Sequence, residues 1–256
     1  MVRMRHADEI TPISFATDAS EVALAAYAKL LTLLEQLEPA DWTTLTDCAP
    51  WTVADMVGHL IGAARANTSV RELLRQQAWA MRHKRDFDGN DLDAMNALQV
   101  RDHADLTAAE RVETLRGLSA RAVRGRMRFP RPLRVIRIPI AQTGSTADGM
   151  PRSLSLGHLM EVIYTRDVWL HRVDIARATD RELELEAVDG RIIEDVVAEW
   201  ARQHGRPFQL TLTGPAGGSF HQGDGGDALE LDAVEFCRVV SGRAPGEGLL
   251  ATRVLF

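Results

Sequence analysis

The chain has 256 residues, a formal net charge of −6 and a hydrophobic content of 45%. That length suits one large or two small domains, and the composition is that of a globular protein able to bury a core. The acidic balance gives no sign of a nucleic-acid binder. No apolar run approaches the roughly 18 residues of a membrane span. We therefore expect neither nucleic acid nor membrane among its partners, and the oligomeric state stays open.

The cysteine content and the amino-terminal segment indicate the compartment. Cys48 and Cys237 are too few for a disulfide framework, which favours a reducing environment. The first residues are polar and charged, and they lack the apolar core of a secretory signal. We expect a cytoplasmic protein.

Apolar residues at helical spacing predict that the chain begins with helices. The first is expected over residues 18–38 and is ended by Pro39. The second is expected to begin at the N-cap candidate Thr52, with Asp55 three residues on, and to run to about residue 74 with a possible break.

The middle of the chain is less regular. Residues 76–103 are polar and predict a turn-rich loop with a short helix at 92–100. A capping box at 107–110 opens a third long helix, which is expected to end near residue 124. Prolines and glycines break the stretch 129–151, where we expect a loop with a short extended piece. A fourth long helix is expected over 154–178.

The pattern changes after residue 181. Helical periodicity at its two ends and alternating apolar residues between them predict a small α+β unit. Its expected elements are a helix at 187–204, strands at 208–213, 219–222 and 228–231, and a helix at 233–241. The fold class is therefore α+β, with a four-helix bundle over residues 1–182 followed by a small α+β domain over residues 183–256.

The candidate chemistry lies on two of the helices. Asp167 and His171 are four residues apart, which places them about 40° apart on one helix face. Such a pair can share a metal ion, and His59 on the second helix could supply a third ligand. Three protein ligands with an open position are typical of a catalytic metal site. His158 and Glu161 lie out of phase on the same helix and are poorer ligand candidates.

Spacing alone leaves other interpretations open. A single buried histidine such as His59 is often a satisfied core residue. Asp167 and His171 also fit a solvated pair on a helix surface.

Two segments carry a family resemblance. Residues 48–60 (Cys-Ala-Pro-Trp-Thr-Val-Ala-Asp-Met-Val-Gly-His-Leu) and 166–176 (Arg-Asp-Val-Trp-Leu-His-Arg-Val-Asp-Ile-Ala) resemble, in this order, the two metal-binding helices of the mycothiol-dependent maleylpyruvate isomerase family. Residues 236–243 and 248–250 resemble the end of that family's carboxy-terminal domain. The resemblance implies a DinB-like metal-binding four-helix bundle followed by a sterol-carrier-like domain.

The resemblance also implies a ligand set and a cosubstrate. The family's metal ligands fall on His59, Asp167 and His171. From its spacing three residues past His171, Asp174 could hydrogen-bond the His171 ring or an arginine. Better-known isomerases of the family place glutamate where this chain has Asp167, so a shifted metal or a different substrate is expected. Two imidazoles and one carboxylate suit Zn²⁺, our first choice, and other borderline ions. The cosubstrate implied is mycothiol, the abundant thiol of actinobacteria, which indicates an actinobacterial source.

The function implied is a metal-dependent and mycothiol-dependent isomerase or thiol S-transferase acting on small electrophiles. A divalent ion holds a bound thiol as thiolate near neutral pH. That thiolate can add to an activated double bond and leave again, or it can stay attached. Two alternatives remain: a non-catalytic metal- or thiol-binding stress protein, and a metal-dependent hydrolase in which the ion activates water.

Other residues have weaker claims. Arg243 is the candidate catalytic residue, because an arginine could bind an anionic substrate or the carboxylate of the thiol; the alternative is a surface arginine. Cys48 fits packing better than catalysis, and His221 fits an ordinary loop histidine. The basic cluster at residues 82–85 is expected on a solvated loop, with an anion contact as its alternative.

Overall fold

The structure is a computed structural model that describes residues 4–140 and 151–256. Helices form most of the amino-terminal part, and a sheet with two helices forms the carboxy-terminal part, so the predicted α+β class is confirmed. The α-helices are α1 (Ala19–Leu34), α2 (Val53–Thr68), α3 (Val70–His83), α4 (Asp91–Arg101), α5 (Ala108–Met127), α6 (Leu156–His158), α7 (Tyr164–Ala178), α8 (Ala187–His204) and α9 (Ala233–Ser241). The strands are β1 (Arg5–His6), β2 (Arg137–Pro139), β3 (Ser153–Ser155), β4 (Phe208–Thr213), β5 (Gly218–Gln222) and β6 (Asp227–Asp232).

Capping boxes fix where two bundle helices begin. The Thr52 side chain accepts the backbone N–H of Asp55 at the start of α2, and the Asp55 carboxylate accepts the N–H of Thr52. Thr107 and Glu110 form the same reciprocal pair at the start of α5. Each box satisfies backbone donors that a helix start leaves free. Both helices therefore begin where the sequence predicts.

Helices α1, α2, α5 and α7 pack together as the bundle, and α3 and α4 form a hairpin against the outer side of α2. Aliphatic side chains such as Leu30, Leu60 and Leu115 fill the bundle core. Helix α7 is buried on almost every side, because the bundle covers one face and the carboxy-terminal part covers the other. Among the residues of α7, only Tyr164, Asp167, Arg177 and Ala178 keep contact with water, and the rest are buried.

The carboxy-terminal sheet has the strand order β1-β5-β4-β6. Strand β4 is antiparallel to β5 and parallel to β6, while β1 runs parallel to β5. Alternate residues of β4 are buried against the helices, which is the period of two expected for a half-covered strand. The Trp200 ring of α8 packs edge-to-face on Phe208 and Phe236, which ties the sheet to both helices.

Several predicted elements differ from the structure. Helix α3 continues to His83 through a segment predicted as a polar loop. The segment is rich in polar and charged residues, which favours a loop, and as a helix it buries only Gln76 and Ala80. The basic cluster at residues 82–85 therefore lies on the last turn of α3 and a following 3₁₀ turn. The predicted fourth long helix begins as strand β3, and a π-helical segment at Leu159–Ile163 precedes α7. Part of the predicted 129–151 loop falls on residues 141–150, which lie outside the described residues.

The amino-terminal segment lies with the carboxy-terminal part of the chain. Strand β1 forms an edge of the second sheet, and the Ile13 N–H donates to the Asp195 carboxylate of α8 at 2.8 Å. The division at residue 182 stays a prediction. Among the described residues, no helix is both long and apolar enough to cross a membrane.

Candidate metal centre

The structure brings together the three residues predicted to bind a metal. His59 Nε2 on α2 lies 3.4 Å from Asp167 Oδ2 on α7, and His171 Nε2 lies 3.3 Å from Asp167 Oδ1. Both histidines are buried, while the Asp167 side chain remains 21% exposed. The cluster is thus largely enclosed by protein but keeps an accessible carboxylate edge.

The spacing of residues along α7 and the ring of Trp51 position these side chains. Asp167 and His171 share a face of α7 because they are four residues apart. The Trp51 ring, just before α2, lies 5.1 Å from the His59 ring and 6.2 Å from the His171 ring. That Trp51 lies against the two histidines was not predicted from the sequence, although its place two residues before the start of α2 puts it near the end of the bundle at which α2 begins.

Asp174 holds the other nitrogen of His171. Asp174 is fully buried, and its Oδ2 lies 3.1 Å from His171 Nδ1. The same oxygen accepts from Nη2 and Nε of Arg243 at 3.2 and 3.4 Å, and from Cys48 Sγ at 3.5 Å. Arg243 follows α9, so the carboxy-terminal part reaches the bundle's cluster through one carboxylate. A carboxylate on the far nitrogen of a histidine fixes its orientation toward a metal.

The charges of the cluster are strongly coupled. Burial would raise the pKa of Asp167, but the charges and hydrogen bonds of His171 and His59 outweigh it and hold that pKa well below its ordinary value. Burial would lower the pKa of His171, but Asp167 and Asp174 raise it well above its ordinary value. In the absence of a metal, a proton on His171 therefore balances the carboxylates, and a bound cation would take its place.

The three side chains fit a divalent ion. Ligand atoms around a tetrahedral ion with bonds of about 2.0–2.1 Å lie roughly 3.3–3.4 Å apart. The two distances to Asp167 have this size, and ligand atoms from all three side chains lie within 4.8 Å of one another. The carboxylate on His171 Nδ1 adds the support expected around a metal-bound histidine.

A second group of ligand-type side chains shares His171. Cys48, His171 and Asp174 also lie close enough together to hold an ion. The Arg243 guanidinium, however, already contacts Asp174 and would repel a cation there. The set of His59, Asp167 and His171 is therefore the better candidate for a metal site.

The weaker sequence candidates lie elsewhere. His158 pairs with Glu199 of α8 at 3.3 Å, and Glu161 accepts the Phe15 N–H at 2.8 Å. His221 lies on β5 with its ring against His6. In the basic cluster, His83 stacks on the Trp79 ring at 4.0 Å. Each has a local structural contact and none belongs to the described metal cluster.

Comparison with known proteins gives a consistent picture. The family model described as the mycothiol maleylpyruvate isomerase N-terminal domain matches residues 23–176, more than half of the chain. A crystal structure of the mycothiol-dependent maleylpyruvate isomerase aligns with a TM-score of 0.55 and 16% identity, covering 94% of this chain and 93% of that one. A variant of that isomerase with one histidine changed to alanine aligns with a TM-score of 0.55 and 15% identity over the same shares. No curated protein matches the chain.

Proposed function

Because the chain belongs to the mycothiol maleylpyruvate isomerase family, we propose that it is a metal-dependent, mycothiol-dependent isomerase or thiol S-transferase acting on small electrophiles. The observation that carries this proposal is the convergence of His59, Asp167 and His171 at ligand–ligand spacing, with a partly exposed edge at Asp167. A site with three protein ligands and an accessible side leaves room for a thiol.

The three ligands would hold a divalent ion, with zinc as the first choice for two imidazoles and a carboxylate. When bound, the ion would lower the pKa of a thiol and keep it as thiolate near neutral pH. The remaining roles belong to the protein. Asp174 orients His171, Trp51 covers the two imidazoles against water, and Arg243 offers a positive charge beside the cluster for an anionic group.

Metal content tests the ligand set. Protein purified without chelator should carry about one divalent ion per chain, and His171→Ala should lose most of it, since two ligands remain. Asp167→Glu should keep the metal, whereas Asp167→Ala should lose it. His158→Ala is the matched control, because His158 pairs with Glu199 away from the cluster. Full metal content in His171→Ala would refute the assignment.

The thiol is tested by cobalt substitution. Mycothiol added to the cobalt protein should produce sulfur-to-metal charge-transfer absorption, and turnover of a small electrophile should require the thiol. Turnover without thiol and without a spectral change would favour the hydrolase. A metal site that binds thiol but turns over no electrophile would favour a non-catalytic binding protein.

A further inference from the structure

A buried arginine in the bundle has donors without acceptors. Arg126, near the end of α5, is only 1% exposed. Its Nη1 lies 3.3 Å from Thr165 Oγ1, but its Nε and Nη2 have no hydrogen-bond partner among the described residues. A buried guanidinium in this state destabilises the folded protein, since it loses its hydration and gains no hydrogen-bonded anion.

The comparable buried arginines are paired. Arg166 on α7 donates to the carboxylates of Asp195 and Glu199. Arg111, at the other end of α5, donates to the backbone carbonyls of Ala54 and Ala104 at 3.0 Å each. Arg126 differs because its one side-chain partner is a hydroxyl. The missing partner is an anion.

The two free donors of Arg126 belong to one edge of its guanidinium. The N–H groups of Nε and Nη2 point in parallel, and this edge is one of the two forks that bind a carboxylate with two hydrogen bonds. Burial lowers the pKa of Arg126, and neighbouring Tyr27, Tyr164 and Asp167 favour its charged form. The unpaired edge therefore has the donor geometry and the charge to bind a carboxylate.

The location of Arg126 connects it to the metal cluster. Tyr164, whose ring centre lies 5.7 Å from the Arg126 guanidinium carbon, precedes Asp167 by three residues on α7, about one helical turn. Tyr164 and Asp167 are both partly exposed, so this part of the bundle borders solvent. The π-helical segment Leu159–Ile163 ends just before Tyr164, and such segments are frequent at functional sites.

We propose that Arg126 is an anion-binding residue whose Nε and Nη2 grip a carboxylate of a small-molecule substrate, beside the cluster of His59, Asp167 and His171. Tyr27 and Tyr164 line this subsite from α1 and α7. That the anion is a substrate carboxylate rests on the proposed function, whereas the anion subsite itself rests on the unpaired donors of the Arg126 guanidinium.

The subsite is tested on metal-free protein with acetate as the probe. Sodium acetate should raise the melting temperature saturably relative to sodium chloride at the same ionic strength, because a ligand of the folded state stabilises it. Arg126→Met should lose this acetate response. Without acetate, its melting temperature should equal or exceed that of the wild type, since a buried unpaired charge is removed.

Arg111→Met is the matched control on the same helix. It should melt at a lower temperature, because it frees two backbone carbonyls, but it should keep the wild-type response to acetate. A wild type that does not respond to acetate, or an Arg126→Met variant that responds like the wild type, would overturn the subsite.

A measurement on the wild type keeps the proposal testable if Arg126→Met does not fold. The side-chain Nε–H resonance of Arg126, assigned by its absence from Arg126→Lys, should shift when acetate is added. A resonance unmoved at saturating acetate would also overturn the proposal.

Activity measurements then test whether the anion bound at this subsite is the carboxylate of a substrate. For an electrophile with a carboxylate, Arg126→Met should raise KM by about tenfold or more, the loss expected for one bidentate charged pair. For the corresponding neutral methyl ester, KM should not change. Equal effects on both substrates would overturn the carboxylate role. An acetate response without thiol-dependent turnover would refute the proposed function and keep the anion subsite.

Discussion

At the scale of single residues, Asp174 connects the most parts of the molecule. Its Oδ2 contacts His171 of the candidate metal site, Arg243 from the carboxy-terminal part and Cys48 from the segment before α2. Burial would raise the pKa of Asp174, but the hydrogen bond with His171 and the charge of Arg243 keep it low. The buried carboxylate is therefore charged and holds the imidazole ring in one orientation.

Asp174→Asn should weaken metal binding without removing a ligand. The amide is neutral and supports His171 less well, so we expect the metal affinity to fall about 10–100-fold, the usual effect of such supporting groups. Competition with a fluorescent chelator measures this. Asp55→Asn is a control, because Asp55 caps α2 away from the cluster. Unchanged affinity in Asp174→Asn would show that the ring needs no carboxylate.

The sequence could reveal only some of these residues. Helical spacing pairs Asp167 with His171, but the link to His59 depended on the family resemblance, because no periodicity connects residues more than a hundred positions apart. Arg126 was not singled out from the sequence, although its position on α5 indicates that it is buried. Leu115, Leu118 and Ala122 form the apolar stripe of α5, and Arg126 continues it four residues on. An arginine on an apolar stripe indicates a buried cation.

At the scale of elements, close helix packing depends on one glycine of α5. A Cβ on Gly125 would overlap the carbonyl oxygen of Asn67 near the end of α2, and backbone atoms cannot move aside cheaply. Gly117 on the same helix is exposed and has no atom within 4 Å of its Cβ position. The two glycines therefore form a natural matched pair.

Gly125→Ala should lower the free energy of unfolding by at least about 2 kcal/mol, the cost of overpacking a tight contact. Gly117→Ala should raise it by about 0.5–1 kcal/mol, since alanine favours a helix interior. Urea unfolding of both variants measures the difference. A neutral Gly125→Ala would mean that α2 and α5 pack less closely than described. A destabilised Gly117→Ala would contradict the open surroundings of Gly117.

Prediction of elements succeeded where local signals were strong. Helix α8, strand β4 and helix α9 have the bounds expected from their periodicity. Two elements were hidden for physical reasons. Helix α3 continues through a segment in which polar and charged residues predominate, and only Gln76 and Ala80 are buried there. Strand β1 has two residues, too few for a pattern, and its pairing with β5 comes from the other end of the chain.

At the scale of the whole molecule, α7 links the bundle to the carboxy-terminal part through buried charges. Arg166 donates to Glu199 and Asp195 of α8 at 2.8 and 2.6 Å, and to the Leu255 carbonyl at 3.0 Å. Burial would raise the pKa of Glu199, but the charge of Arg166 and the contact with His158 lower it to about 2. The interface should therefore respond to acid.

Glu199 should contribute to the pH dependence of stability. Its pKa is lower in the folded protein than the ordinary 4.5, so its contribution is complete above about pH 4.5 and is lost as pH falls toward 2. The loss should reach about 3 kcal/mol at most. Glu199→Gln should have a lower free energy of unfolding at pH 7 than the wild type. Its free energy of unfolding, measured in urea, should also change less between pH 4.5 and pH 2. Glu230 is exposed, so Glu230→Gln should keep the wild-type dependence of the free energy of unfolding on pH. A Glu199→Gln variant whose stability depends on pH as steeply as that of the wild type would contradict the prediction.

The same interface decides whether the bundle can exist alone. Besides Arg166, Trp169 Nε1 and Arg172 of α7 donate to the Asp189 carboxylate of α8, at 2.8 and 2.6 Å. A fragment of residues 1–182 would leave these donors without their acceptors and would expose the apolar face of α7. We expect it to lose cooperative thermal unfolding and metal binding, measured by near-ultraviolet circular dichroism and elemental analysis. Cooperative melting with bound metal would instead show that the bundle is an independent domain, and that the carboxy-terminal part only covers it.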